Sequence, residues 1–169
     1  MDLITFTALQ PEDIDELLPL AHRIWHAHYP GIITVAQIDY MLPRSYTREI
    51  ILGEIDQQGI SWIVIRNGKT MIGFIAVGPH GDNIMKLHKL YLLPEFHGQG
   101  IGSAALAEVE RVAHMHNTTK LVLNVNKHNP KAISAYQRAG WQVAEEIIVD
   151  IGNGYVMNDY IMEKPLASP

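Results

Sequence analysis

The 169-residue sequence contains no cysteine. That absence excludes disulfides, thiolate metal centres and cysteine nucleophiles, so stability must come from packing and any reactive group must sit on another side chain. Long apolar runs are missing too. The longest candidate, Ile72 to Gly78, falls far below the ~20 residues that cross a bilayer, and Met1-Asp2 leads into a strand-like segment without a basic leader. The expectation is a cytoplasmic protein with no membrane partner. Basic residues are few: 13 lysines and arginines against 18 acids leave a net charge of -5. Nucleic-acid affinity rests on cations that neutralise phosphates, so no nucleic-acid partner is expected, whereas a mildly acidic surface suits amine substrates. His22, His26 and His28 cluster, with the first two one helical turn apart, but neither an H-E-x-x-H string nor a third ligand accompanies them, and no metal is expected.

What is present reads as one domain over residues 1–169, with 47% hydrophobic residues to fill its core and no linker or repeat. Leu3 to Thr7 alternates as a strand. A helical pattern starts near Asp13 and stops at Tyr29-Pro30-Gly31; Thr34 caps a second helix through Tyr40, and a third spans Thr47 to Gln57. Asn67-Gly68 between two β-rich runs signals a hairpin, and a third strand from Ile84 to Leu93 completes an antiparallel meander. The helix with Ala105, Leu106, Val109, Val112 and Ala113 on its buried stripe leads to a strand at 120–125, which favours parallel pairing of 84–93 with 120–125. Asn129-Pro130 opens a further helix that Gly140 ends, and strands 142–151 and 155–163 close the chain. The fold class is α+β (mixed α/β), with a mixed sheet of six or seven strands flanked by helices.

The segment Leu90-Tyr91-Leu92-Leu93-Pro94-Glu95-Phe96-His97-Gly98-Gln99-Gly100-Ile101-Gly102-Ser103 runs from strand to helix through three alternating glycines. Glycines there let backbone N–H groups turn inward, and the helix start adds unpaired donors and a positive dipole end, so the segment is an anion cradle for a phosphate-bearing ligand. It is not a dinucleotide loop of the G-x-G-x-x-G type, because Ser103 stands at the third glycine position counted from Gly98. Nor does the chain contain the G-x-x-x-x-G-K-[ST] string of a P-loop.

Together with its strand, the loop resembles motif A of the GCN5-related N-acetyltransferase (GNAT) family, L-Y-V-x-P followed by [QR]-x-x-G-x-[GA], with His97 in place of the usual glutamine or arginine. Asn129 to Trp141 is similar to the family's motif B, N-x-x-A-x-x-x-Y-x-x-x-G-[FW]. The resemblance implies an acetyl-CoA-dependent N-acetyltransferase that moves an acetyl group to a primary amine by direct attack, the acceptor being a small amine, polyamine, amino acid or protein amine. It implies that the pyrophosphate of coenzyme A sits on the N–H groups of Gly98, Gln99, Gly100, Ile101, Gly102 and Ser103, with His97 beside them. The pantetheine arm would pair with the backbone of Leu90, Tyr91 and Leu92, with Asn129 in contact.

Tyr136 matches the tyrosine that protonates the departing thiolate. Asn129 lies close to two helical turns before it, so both can reach one cleft. Relatives often carry a carboxylate on the strand before the glycine loop as general base. Met85-Lys86-Leu87-His88-Lys89 has none, which leaves His88 as the local substitute. Trp25 and Tyr29 are the candidates for the acceptor wall, and a homodimer is the common assembly for such a chain. A reading from another class is a catalytically silent acyl-CoA-binding sensor that keeps the cradle and lacks a base.

Overall fold

The computed structural model describes residues 2–167. Its strands are β1 (Ile4–Ala8), β2 (Ser61–Asn67), β3 (Thr70–Gly81), β4 (Ile84–Leu92), β5 (Lys120–Asn126), β6 (Gln142–Gly152) and β7 (Tyr155–Pro165). Its helices are α1 (Ile14–His28), α2 (Val35–Ser45), α3 (Arg48–Gln58), α4 (Ile101–Met115) and α5 (Pro130–Arg138). The strands form one sheet in the order β1-β2-β3-β4-β5-β7-β6. β1 to β4 are an antiparallel meander, β4 and β5 are parallel across the α4 crossover, and β7 and β6 add on antiparallel. This is the mixed α+β sheet expected from the sequence.

Helix α1 buries Ile14, Leu17, Leu20, Ala21, Ile24 and Trp25, a spacing that puts one apolar stripe against the sheet. Thr34 caps α2 by accepting from the Gln37 amide at 3.1 Å. The helix does not stop near Tyr40; it runs through Pro43 to Ser45 and buries Ile38 and Leu42. Pro43 lies in the last turn, where its missing N–H costs a single bond to Asp39, an exposed residue. The β2–β3 loop is likewise one residue later than the Asn67-Gly68 reading: Asn67 pairs with Thr70, and Gly68, at φ 60°, opens the turn with Lys69. Among the described residues no helix is long and apolar enough to cross a membrane.

The largest departure from the sequence expectation lies between β4 and β5. Leu87 pairs with Val77 and Lys89 with Ala76, so His88 is the extra residue of a β-bulge. A bulge bends its strand and breaks the ladder locally. The parallel register accordingly runs only from Ile84–Lys120 to Leu87–Leu123, four pairs rather than the length of the strand. Beyond it, Lys89 to Leu92 stay on β3 and Asn124 to Asn126 stay on β7. The sheet is therefore open between its two central strands.

Candidate active site

The parted strands frame a cleft of about 690 Å³. It takes its walls from the ends of β4, β5 and β7, the N-terminal turn of α4, one side of α5 and the C-terminal turn of α1. Of the residues singled out from the sequence, Trp25, Tyr29, His88, Leu90, Tyr91, Leu92, His97, Gly98, Gly100, Ile101, Gly102, Ser103, Asn129 and Tyr136 all line it. Gln99 does not, and its carboxamide instead donates to the Glu95 carbonyl at 2.9 Å within the loop.

At the loop, Gly98 and Gly100 hold φ of 72° and 81°, left-handed backbone that L side chains avoid. Gly100 is the N-cap of α4, and the first helical bond runs from the Ala104 amide to its carbonyl at 3.0 Å. The amides of Ile101, Gly102 and Ser103 are left without helical acceptors. A Cβ placed on Gly98, Gly100 or Gly102 would meet nothing within 4 Å, so the space over these amides is open. The coenzyme fits these features: an anion over the amides, and an amide-bearing chain along the strand edge of β4 that β5 has released. His97 lines the same space, and its Nε2–H donates to the Leu92 carbonyl at 2.9 Å, which ties the loop to the end of β4.

Helix α5 is capped by Asn129, whose Oδ1 accepts from the Ala132 amide at 3.3 Å while its Nδ2–H donates to His28 Nε2 at 3.1 Å. Both polar ends of this buried side chain are used, and they lash α1 to α5 across the cleft. His28 must be unprotonated at Nε2 to accept. Burial, reinforced by neighbouring His97 and Lys131, lowers its pKa and keeps it so. Seven residues on, Tyr136 packs against Trp141 with ring centroids 5.8 Å apart. Burial, with Tyr29 nearby, pushes the Tyr136 phenol well up, which keeps its proton in place at neutral pH.

The opposite wall is aromatic. Trp25 packs against Tyr29 at a tilt of 49° with ring centroids 4.6 Å apart and donates its indole N–H to the Tyr46 hydroxyl at 3.1 Å, so Trp25 is chiefly a buried wall. The Tyr29 and Tyr91 hydroxyls hydrogen-bond at 2.8 Å. His88 sits at the cleft on the bulge; desolvation, then Lys86, Lys89 and His80, lower its pKa to about 4. It is neutral at pH 7 but a weaker base than an ordinary histidine. One residue of this wall belongs to no sequence motif: Asp159 of β7, 4% exposed, which is the one carboxylate among the described residues that line the cleft. Its Oδ1 is buried without a hydrogen-bond partner. The signal in the sequence was an acid inside a strand, a position where aspartate is depleted.

The pattern of the acetyltransferase (GNAT) family matches residues 18–141. A spermidine N(1)-acetyltransferase of Thermoplasma acidophilum is 28% identical over 169 residues, covering 98% of this chain and 99% of that one. Among solved structures, the PaiA N-acetyltransferase of T. acidophilum in complex with coenzyme A superposes with a TM-score of 0.82 at 27% identity, covering 97% of this chain and 99% of that chain. A GCN5-related N-acetyltransferase from Rhodopseudomonas palustris shares the fold, with a TM-score of 0.80 at 14% identity over 98% of both chains. With the cradle, the open sheet and a family pattern that spans most of its length, the chain belongs to the GNAT acetyltransferase family and is an N-acetyltransferase that takes its acyl group from acetyl-CoA.

Proposed function

We propose that the acceptor is a primary amine of a linear polyamine, received between α1 and β7, and that Tyr136 is the proton donor to the departing thiol. The observation that carries this reading is the single opening between β4 and β5, which brings the amide cradle, the Tyr136 ring and the aromatic wall of Tyr29 and Tyr91 to one cleft. The polyamine class is supported by the spermidine N(1)-acetyltransferase of T. acidophilum, which aligns over 98% of this chain. It is also supported by the net charge of -5, which draws polycations towards the surface, and by aromatic faces that attract ammonium groups.

Acetyl-CoA, when bound, would supply a thioester whose acyl group passes to the amine as the coenzyme's thiol leaves. The amides from Gly98 to Ser103 would hold its pyrophosphate, and the released edge at Leu90 to Leu92 would align its arm. Tyr136, kept protonated by burial, gives its proton as the C–S bond breaks. Asn129 is committed to His28 and the α5 cap, so it contributes by fixing the position of Tyr136. Free-thiol release measured over a panel of spermidine, spermine, butylamine, lysine and a lysine peptide tests the assignment. Spermidine or spermine should give the highest kcat/KM, and a panel led by the lysine peptide would overturn the polyamine reading.

A further inference from the structure

We propose that Asp159 is the seat of the acceptor's ammonium group, pairing with it and then taking its proton. This rests on the amine-acceptor reading above and names the residue that reading leaves open. A carboxylate buried to 4% exposure with one oxygen unpaired is costly to the fold, and such groups persist where a ligand completes them. Asp159 takes part in no ion pair among the described residues, and it is the one acid lining a cleft that must receive a cation.

The sheet register explains its position. Asp159 stands opposite Asn126 of β5 and Ile147 of β6, on the same face of the sheet as Asn124 and the Lys86 position of β4. The groups that act on it from the neighbouring elements are Lys86 of β4 and the Asn124 carboxamide of β5, both favouring its charged form, and its own charge is felt at Tyr29 of α1. Burial outweighs these and raises its pKa. The same dry surroundings lower the pKa of an ammonium, so the gap that opposes proton transfer narrows from both sides. His88, driven the other way to about 4, offers no such match.

Protons balance as follows. The ammonium gives one proton to the Asp159 carboxylate, which later releases it to water. The nitrogen sheds a second as the C–N bond forms and the C–S bond breaks, and that proton restores the Tyr136 hydroxyl after it has protonated the thiolate. Each turnover therefore releases one proton.

The test is Asp159→Asn, which keeps the shape and removes the charge. Spermidine binding is measured by calorimetry in the presence of coenzyme A, and acetyl transfer by thiol release between pH 5 and 9. The variant should melt no lower than the wild type and show the same acetyl-CoA-induced melting shift. It should bind spermidine at least tenfold more weakly and lose ~10²- to 10⁴-fold in kcat/KM, with the acidic limb of the wild-type pH profile gone. Spermidine affinity and kcat/KM within twofold of wild type would overturn the assignment, as would equal losses of spermidine and acetyl-CoA affinity, which mark a scaffold residue. In the wild-type protein, a neutral diol of spermidine's length should bind at least tenfold more weakly than spermidine; equal binding also overturns it. Repeating both measurements with butylamine separates the two readings. If butylamine is preferred to spermidine, the polyamine reading fails, and the Asp159 assignment is then decided on butylamine: it is overturned if the asparagine variant handles butylamine as the wild type does and stands if binding and turnover fall as described for spermidine.

Discussion

The two sides of the cleft are built from different material. On the proposed donor side the groups on offer are main-chain amides of one continuous stretch, Gly98 to Ser103, together with the edge of the strand that leads into it. On the proposed acceptor side they are side chains gathered from afar: Tyr29 meets Tyr91 across 62 residues, and the wall behind them is tied together by Asn129 meeting His28 across 101. A site made of backbone amides should tolerate side-chain exchange so long as the chain path is kept, and His97, in a place where the family pattern has glutamine or arginine, is the residue that puts this to the test. A side-chain site is specific to each residue. The comparison implies that substitutions on the two sides move different constants: acetyl-CoA affinity on one side, amine handling on the other.

Tyr136 sits where the two sides meet, so its loss should spare both binding events and strike the chemistry. Tyr136→Phe is expected to lower kcat by ~10²- to 10³-fold, within the range for a lost general acid, while acetyl-CoA still raises the melting temperature as in wild type. A kcat within threefold of wild type would remove the proton-donor role. The next effect isolates the donor side. In Gly102→Val the new side chain meets no protein atom within 4 Å of its Cβ and so leaves the fold intact, but it fills the space over the open amides. Acetyl-CoA affinity should fall about ten- to a hundredfold with melting unchanged, since valine is no worse than glycine in a helix. Unchanged affinity would mean that the anion lies elsewhere.

The donor side was legible in the sequence for the same reason that it is robust. Glycine spacing, a proline and the strand-to-helix switch are local signals, and local signals need no knowledge of the fold. The other side is legible only in part: Trp25 and Tyr29 stand out in the sequence and line the cleft, but the rest of that wall does not announce itself. Asp159 reaches the cleft only through the register that sets β7 beside β5, and nothing within ten residues of it announces that partner. The parallel pairing is shorter than the strand pattern implies because a bulge is a register event: Met85 to Lys89 has ordinary strand composition, and His88 becomes unpaired only against β3. Asn129-Pro130 marks a helix start, and Asn129 does cap α5, but its second bond depends on where α1 ends.

A third substitution tests how strongly the acceptor side depends on individual side chains. Tyr29→Phe leaves the Tyr91 hydroxyl without its partner, which should cost ~1–3 kcal/mol in urea unfolding, whereas Tyr29→Phe with Tyr91→Phe should recover most of it. The single variant should raise KM for the amine several-fold and leave KM for acetyl-CoA alone. Acid gives a smaller, graded effect. His28 and His88 both titrate lower in the fold than the ordinary value near 6.5, so the folded protein binds fewer protons than the unfolded chain. Their contribution is complete above pH 6.5 and is lost as pH falls towards about 4, the value of His88. Asp159, raised in the fold, pulls the other way at the acidic end. Melting temperature should therefore drop between pH 6.5 and 4, and His88→Gln should flatten part of that drop; an unchanged slope would show that His88 does not titrate there.

The smallest expected effect is at His97, and it is the most demanding for the comparison, because His97 is a side chain on the side attributed to backbone. Its ring is exposed, and its one hydrogen bond runs to the Leu92 carbonyl at 2.9 Å. A glutamine carboxamide can donate to the same oxygen, so His97→Gln should bind acetyl-CoA within twofold of wild type. Leucine cannot donate, and His97→Leu gives up one exposed hydrogen bond worth ~0.5–1.5 kcal/mol. Only the part of that loss that loosens the loop reaches the ligand, so a two- to threefold weaker acetyl-CoA affinity is expected, with KM for the amine unchanged. A loss beyond tenfold in His97→Leu, restored in His97→Gln, would show that the cradle depends on a side-chain brace at the end of β4. The division between a backbone side and a side-chain side would then fail at the residue where this chain departs from its family pattern.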